Sequence, residues 1–406
     1  MRRLRRSVGH ALCLASAAFA LAVPPLKKEP QPLPPPNPNA AEPEVLASSA
    51  LIMDLQSGRI LWQRSADVPM YPASTTKILT TLMLLERTKP TDVITAPAEV
   101  TQVGESSLHL QPGEQLTAAN LALAMMLRSA NDACFAVAVH LGGSQEGFAA
   151  LMNRRAVELG CTHTNFVNPN GLHDPSHVTT AHDLAVIARA AMQRDDFRAL
   201  CRTESAVLTR SLNQADRLVK SKNHLLGAGI GCIGIKTGYT VPAGKCFVGA
   251  ATRNGWELIT VVMKSPDWQR DTTALIDWAY AHYSLQELVP AGTAVEIAVP
   301  GDPRRFKART VGSFKGVGPI QTTGDKVQLT PKPTLDSAGF LAGQRVGELA
   351  VAVGGTFVGT VPLVAAETVM SRRAAATRRP VALVLSLAGL SLAGVVWYGI
   401  RTRKLF

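Results

Sequence analysis

The stretch Tyr71-Pro-Ala-Ser-Thr-Thr-Lys-Ile-Leu-Thr80 decides how the rest of the chain is read. Ser74 and Lys77 stand three positions apart within it. The apolar residues Ile78, Leu79, Leu82, Met83 and Leu85 recur at helical spacing, which predicts a buried helix with Ser74 in its first turn. Residues i and i+3 share a helix face, so the hydroxyl and the amine can meet. A free serine hydroxyl is a weak nucleophile and needs an adjacent base. A lysine amine serves as that base only when neutral, and burial or neighbouring positive charge lowers its pKa. The plainer reading is a helix cap and a surface lysine, since Ser-x-x-Lys is expected about once by chance in a chain of this size.

Two further stretches give the pair its weight: Ser129-Ala-Asn131 and Lys236-Thr-Gly238. Each is weak alone, and their order and placement carry the signal. Thr117 reads as the N-cap of a helix over 118–127, and a second apolar run covers 133–141, so Ser129 to Asn131 falls at a break between helices. Residues 232–237 have strand character, which puts Lys-Thr-Gly at a strand end. Residues 50–54 and 59–63 read as a β-hairpin. Residues 245–251 and 257–263 form a second hairpin around Asn254-Gly255. Helices are expected over 148–159, closed by Gly160, from Thr180 to about Met192, and over 271–282. Residues 93–101 read as irregular or strand, 161–177 as an ordered polar loop and 209–226 as irregular. The picture is an antiparallel sheet fed from both ends of one domain (45–284), with a large helical insertion. Short β-rich stretches separated by Gly and Pro follow over 285–370 and predict a small β-domain.

The net charge of +12 looks like a nucleic-acid signal until it is located. Residues 1–23 carry four arginines and no acid, and 371–406 carry seven basic residues and no acid, leaving +1 for everything between. The basic excess therefore lies at the two ends, which argues against nucleic-acid binding by the folded body. Residues 1–23 read as a secretory signal peptide, and the proline-rich 24–44 as an extended linker. Residues 371–380 form a basic linker. Residues 381–400 contain no charge and are long enough to span a bilayer as a helix, with 401–406 as a cytoplasmic tail. The reading is of a cell-membrane protein with its catalytic domain outside the cytoplasm. Five cysteines follow the signal at irregular spacing, which is no disulfide framework. His163, His173, His177 and His182, with Asp174 and Asp183, fit no zinc spacing, so no metal and no cofactor is expected.

Taken together, Tyr71-Pro-Ala-Ser-Thr-Thr-Lys77, Ser129-Ala-Asn-Asp-Ala-Cys134 and Lys236-Thr-Gly-Tyr-Thr240 resemble the D-alanyl-D-alanine carboxypeptidases. These are low-molecular-mass penicillin-binding proteins of the serine type. Asn168-Pro-Asn-Gly-Leu172 and Asn223-His-Leu-Leu226 are also similar to family patterns, and the likeness covers about 45–370. It implies an α/β (α+β) penicillin-binding/β-lactamase-like transpeptidase domain, then a small all-β domain and a C-terminal membrane helix. It also implies removal of the terminal D-Ala from peptidoglycan stem peptides through a Ser74 acyl-enzyme, with β-lactams as covalent inhibitors.

The resemblance assigns roles residue by residue. Ser74 would attack and Lys77, crowded by Lys236, would take the proton. Ser129 would relay a proton to the leaving amine. Asn131 would hold Lys77 and the substrate amide. Lys236 and Thr237 would bind the terminal carboxylate, with Arg270 as the candidate arginine beside it. The N–H groups of Ser74 and Tyr239 would form the oxyanion hole, and Gly238 would let the strand edge approach the substrate. A class A β-lactamase needs a glutamate for deacylation, and 159–203 contains none. A transpeptidase and a non-catalytic penicillin-binding sensor remain as alternatives.

Overall fold

The structure, a computed structural model, describes residues 41–213, 215, 217–299, 303–320, 327–334 and 339–370. A five-stranded antiparallel sheet runs through the body of the molecule. Its strands are β1 (Ser49–Asp54), β2 (Ile60–Arg64), β3 (Cys232–Thr240), β4 (Gly244–Arg253) and β5 (Trp256–Ser265), in the order β2-β1-β5-β4-β3. The chain enters at β1, leaves for about 170 residues, and returns to pair β5 on β1 in a register that sets Ile52 opposite Thr260. The Asn254-Gly255 turn joins β4 to β5 with both residues at positive φ, as a tight hairpin requires. β3 is left at the edge.

Between β2 and β3 lie helices α1 (Lys77–Arg87), α2 (Ala118–Leu123), α3 (Asn131–Gly142), α4 (Gln145–Leu159), α5 (Ala181–Met192) and α6 (Asp195–Arg202). One apolar core fills the space between them and one sheet face, with Leu51, Ile78, Leu82, Met83, Phe148, Ile187 and Val261 all buried. The other sheet face packs on α7 (Trp268–His282) through Ile52, Phe247, Leu258, Leu275 and Ile276. Burying both faces explains why β5 reads as a nearly continuous apolar run rather than an alternating one. The caps are those the sequence offered: the hydroxyls of Thr117 and Thr180 accept from Asn120 N and Asp183 N.

Several expectations are adjusted. The helix expected over 118–127 stops at Leu123 and becomes a π turn, Ala124–Arg128. Residues 209–226, expected to be irregular, contain a short strand, Leu218–Lys220, paired with Ser205–Val207. Val93–Thr95 pairs with Gln115–Thr117.

After α7 a strand, Tyr283–Val289, pairs with Phe314–Pro319. A second five-stranded sheet follows: Ala294–Ala298, Arg305–Thr310, Thr356–Ala365, Arg345–Val353 and Val327–Pro333, in that spatial order. It carries its own core of Ile297, Val346, Leu349, Val351 and Leu363. Arg59 reaches from the first sheet to donate to the Val317 carbonyl at 2.9 Å.

The membrane part of the expected architecture is corrected. No helix among the described residues is long and apolar enough to cross a membrane. The span read at 381–400 lies outside the described residues, as do the signal of 1–23 and most of the linker 24–44. The fold class that the described residues show is the antiparallel sheet with its helical insertion plus a small all-β unit, with no membrane helix among them. The expected membrane partner and cell-membrane location rested on that helix, and none of the described residues carries them.

Candidate active site

Ser74 does not lie in an α-helix. It sits in a 3-10 turn, Ala73–Thr76, that feeds into α1 at Lys77. Pro72 stands before this turn, with its φ fixed near the helical value by the ring. The Thr75 hydroxyl donates to the Pro72 carbonyl at 2.8 Å. A 3-10 turn has three residues per turn, so side chains at i and i+3 eclipse more closely than on an α-helix. Lys77 Nζ and Ser74 Oγ accordingly lie 3.0 Å apart.

Lys77 is wholly buried. Its amine has three partners: Ser74 Oγ, Asn131 Oδ1 at 2.8 Å and the Asn170 carbonyl at 2.5 Å. The side chain of Asn131 is fixed by its own donation to the Gly104 carbonyl at 2.9 Å, which leaves Oδ1 for the lysine. Two of the three partners can only accept. A neutral amine therefore spends its two N–H bonds on them and turns its lone pair to the Ser74 hydroxyl. Burial is the main force pushing the Lys77 pKa down, to about 8, with the positive charge of Lys222 acting the same way. The neighbour expected to do this from the sequence was Lys236. That lysine is also buried, and it is held well below its usual value by burial first and by Lys77 second.

Ser129 closes the π turn in the left-handed region, at φ 65°. Its buried Oγ has no hydrogen-bond partner among the described residues. The π turn drops the chain out of helical register and lets α3 restart at Asn131, so Ser129 and Asn131 present to one place from a helix break. Ser74, Ser129, Thr237, Gly238 and Tyr239 line one cavity of about 540 Å³, together with Glu105, Ser106, Lys222, His224, Lys245, Cys246 and Trp268. Lys236 is buried next to the lining residue Thr237 and is not itself in the cavity wall; its Nζ donates to the Thr237 carbonyl at 3.0 Å.

Gly238 serves a closer contact than expected. A Cβ there would lie 3.0 Å from the Pro72 carbonyl and 3.1 Å from the nitrogens of Ser74 and Thr75. What the missing side chain allows is the approach of β3 to the serine turn itself.

Arg270 is not brought to the cavity. It is exposed, donates to the Glu44 carbonyl and pairs with the Glu44 carboxylate at 3.1 Å. A helix turns about 100° per residue, so position 270 faces away from position 268, and it is Trp268, its ring tilted against that of Phe247, that faces the cavity.

Three groups were missed in the sequence. Asp132 is buried and accepts from Ser107 Oγ, Leu108 N and Leu110 N, fixing the loop that brings Glu105 and Ser106 to the cavity rim. Arg210 and Glu114, both fully buried, form a two-pronged pair at 2.7 Å behind that loop. Lys222 Nζ donates to Ser106 Oγ at 2.8 Å across the rim. Only Asp132 had a local signal, its place directly after Asn131.

A half-buried serine beside a buried lysine, a second serine at a helix break and a lysine on a sheet-edge strand are the groups that a serine acyl-transfer site of the penicillin-binding type uses. The family profile described as D-alanyl-D-alanine carboxypeptidase matches residues 37–267. The chain is 27% identical over 335 residues to D-alanyl-D-alanine carboxypeptidase DacF of Bacillus subtilis (strain 168), covering 79% of this chain and 85% of that protein. It is 36% identical over 247 residues to DacB2 of Mycobacterium tuberculosis, covering 59% of this chain and 84% of that protein. The structure of penicillin binding protein 5 from Haemophilus influenzae superposes with a TM-score of 0.65 at 26% identity, covering 81% of this chain and 99% of that one. The chain belongs to the D-alanyl-D-alanine carboxypeptidase family, and its activity is that of a serine-type D-Ala-D-Ala carboxypeptidase.

Proposed function

We propose that the enzyme releases the terminal D-Ala of peptidoglycan stem peptides through an acyl-enzyme on Ser74. The observation that carries this is the 3.0 Å approach of the buried Lys77 Nζ to Ser74 Oγ: burial favours the neutral amine, which donates to Asn131 Oδ1 and the Asn170 carbonyl and turns its lone pair to the hydroxyl. Lys77 takes the Ser74 proton as Oγ forms a bond to the penultimate carbonyl carbon. The oxyanion lies at the N–H groups of Ser74 and Tyr239. Ser129, its hydroxyl free of protein partners among the described residues, passes a proton to the departing D-Ala amine. Lys77 restores the Ser129 proton and is neutral again; it then takes a proton from the water that attacks the ester and gives it to Ser74 Oγ as the ester bond breaks.

The carboxylate of the terminal D-Ala docks on Thr237 and Lys236. Its negative charge restores the charge of Lys236, and a charged Lys236 in turn keeps Lys77 neutral. Arg270, held by Glu44, takes no part. Asn131 holds Lys77 and the substrate amide. β-Lactams acylate the same serine. Residues 45–284 carry this chemistry, and 285–370 form a separate β-unit.

The test is D-Ala release from an acyl-D-Ala-D-Ala peptide by the full chain and by Ser74→Ala. Release that is lost in the variant supports the reading. Release that survives in the variant refutes Ser74 as the nucleophile.

A further inference from the structure

The turn that carries Ser74 is strained and is braced from one side. Ala73 sits at φ +50°, in the left-handed region that non-glycine residues seldom occupy. Its carbonyl accepts from the Thr76 hydroxyl at 2.9 Å. The same hydroxyl oxygen lies 2.8 Å from Nε2 of His177, 101 residues further on. Because the Thr76 proton is directed to Ala73, Thr76 Oγ1 must accept from the ring. The ring agrees: Val167 N–H donates to Nδ1 at 3.1 Å, which leaves the proton on Nε2. His177 is buried, and burial pushes its pKa down to about 4, with Lys77 and His173 acting the same way and Asp174 opposing.

The segment bearing His177 is itself fixed. Asn165 and Val178 exchange backbone hydrogen bonds at 2.8 and 3.0 Å, and Thr179 and Met70 do so at 2.9 and 2.7 Å. Gly171, at φ +85°, presses on the same spot, since a Cβ there would fall 1.8 Å from the Ala73 carbonyl oxygen.

We propose that His177 is a positioning residue for acylation, holding the Ser74 turn in its strained form by donating Nε2–H to Thr76, which in turn holds the Ala73 carbonyl. It touches neither substrate nor the reacting atoms. The strain persists only while this brace is present, and a misplaced nucleophile acylates slowly even in a folded enzyme. The proposal rests on Ser74 as the nucleophile. Peptide mapping of the site labelled by penicillin in the unaltered chain checks that premise separately.

The experiment measures the second-order rate of acylation by a labelled penicillin, per folded molecule, in full-length Thr76→Val, His177→Phe, the double variant and His177→Gln. Each of the first two is expected to lose about 10- to 100-fold. The double variant is expected to be no slower than the slower single one, because both break one chain of bonds. Glutamine keeps a donor near the place of Nε2 and should recover most of the loss, which a general loss of stability would not show. Acylation of Thr76→Val at the unaltered rate, or losses that multiply in the double variant, overturns the proposal. If His177→Phe fails to fold, Thr76→Val and His177→Gln decide it by the same rates.

Discussion

The two five-stranded sheets of this protein sit in surroundings that bury different things. The first, with its helices, encloses Lys77, Lys236, Glu114, Arg210, Asp132, Asp183, Asp271 and His177. In the β-unit that holds the second, over 283–370, Thr310 is the one buried polar residue among the described residues. Burying a charged or polar group is unfavourable unless it is paired and hydrogen-bonded. A region that does so repeatedly is one where position matters more than stability. In the second sheet Arg305–Thr310 shows the plain alternation of a strand that needs only to fold, its side chains exposed and buried by turns.

The largest effect should come from Glu114→Gln, tested by thermal or denaturant unfolding. It leaves Arg210 charged and half-partnered in a site closed to water, and removal of one member of a buried pair costs about 3–5 kcal/mol. Thr310→Val, the nearest equivalent in the second sheet, should change stability by no more than about 1 kcal/mol. Equal losses at the two sites would erase the contrast.

Gly238→Ala should come next, now in activity. Its Cβ would meet backbone on the serine turn, and a small displacement there should lower the rate of penicillin acylation by about 10²-fold. An unchanged rate would mean that β3 and the turn can part without consequence.

Arg270→Ala should do least. Its ion pair with Glu44 is solvent-exposed, and such pairs contribute about 0–1 kcal/mol. The kcat/KM for D-Ala release should stay within about twofold. A loss of tenfold or more, confined to substrates ending in a free carboxylate, would return Arg270 to the site.

Much of the site was legible because its main groups are close in sequence or fall at element boundaries. Ser74 and Lys77 are three apart, Ser129 and Asn131 flank a helix start, and Lys236 to Gly238 lie on one strand. The apolar periodicity of α1 and the Asn254-Gly255 turn gave the frame around them. The groups that hold this frame were not legible. Arg210 finds Glu114 across 96 residues and His177 finds Thr76 across 101, and no local pattern encodes a pairing at that range. The π turn before Ser129 was hidden for another reason. Ala124–Arg128 is as good a helix former as its neighbours, so intrinsic propensity carries no sign of the π turn. Arg270 lies away from the cavity, against Glu44, because a helix start fixes which residues are near a site but not which of them turn inward.

The central claim is that neutral Lys77 activates Ser74. The direct test is the pH dependence of acylation by a labelled penicillin, measured over the range where the chain stays folded. The Lys77 pKa is lowered to about 8 and the neutral amine is the base, so the rate should rise with pH through one ionisation near 8 and level off above it. A rate that is flat from about pH 6 to 9, or that falls as pH rises through that range, would contradict the account.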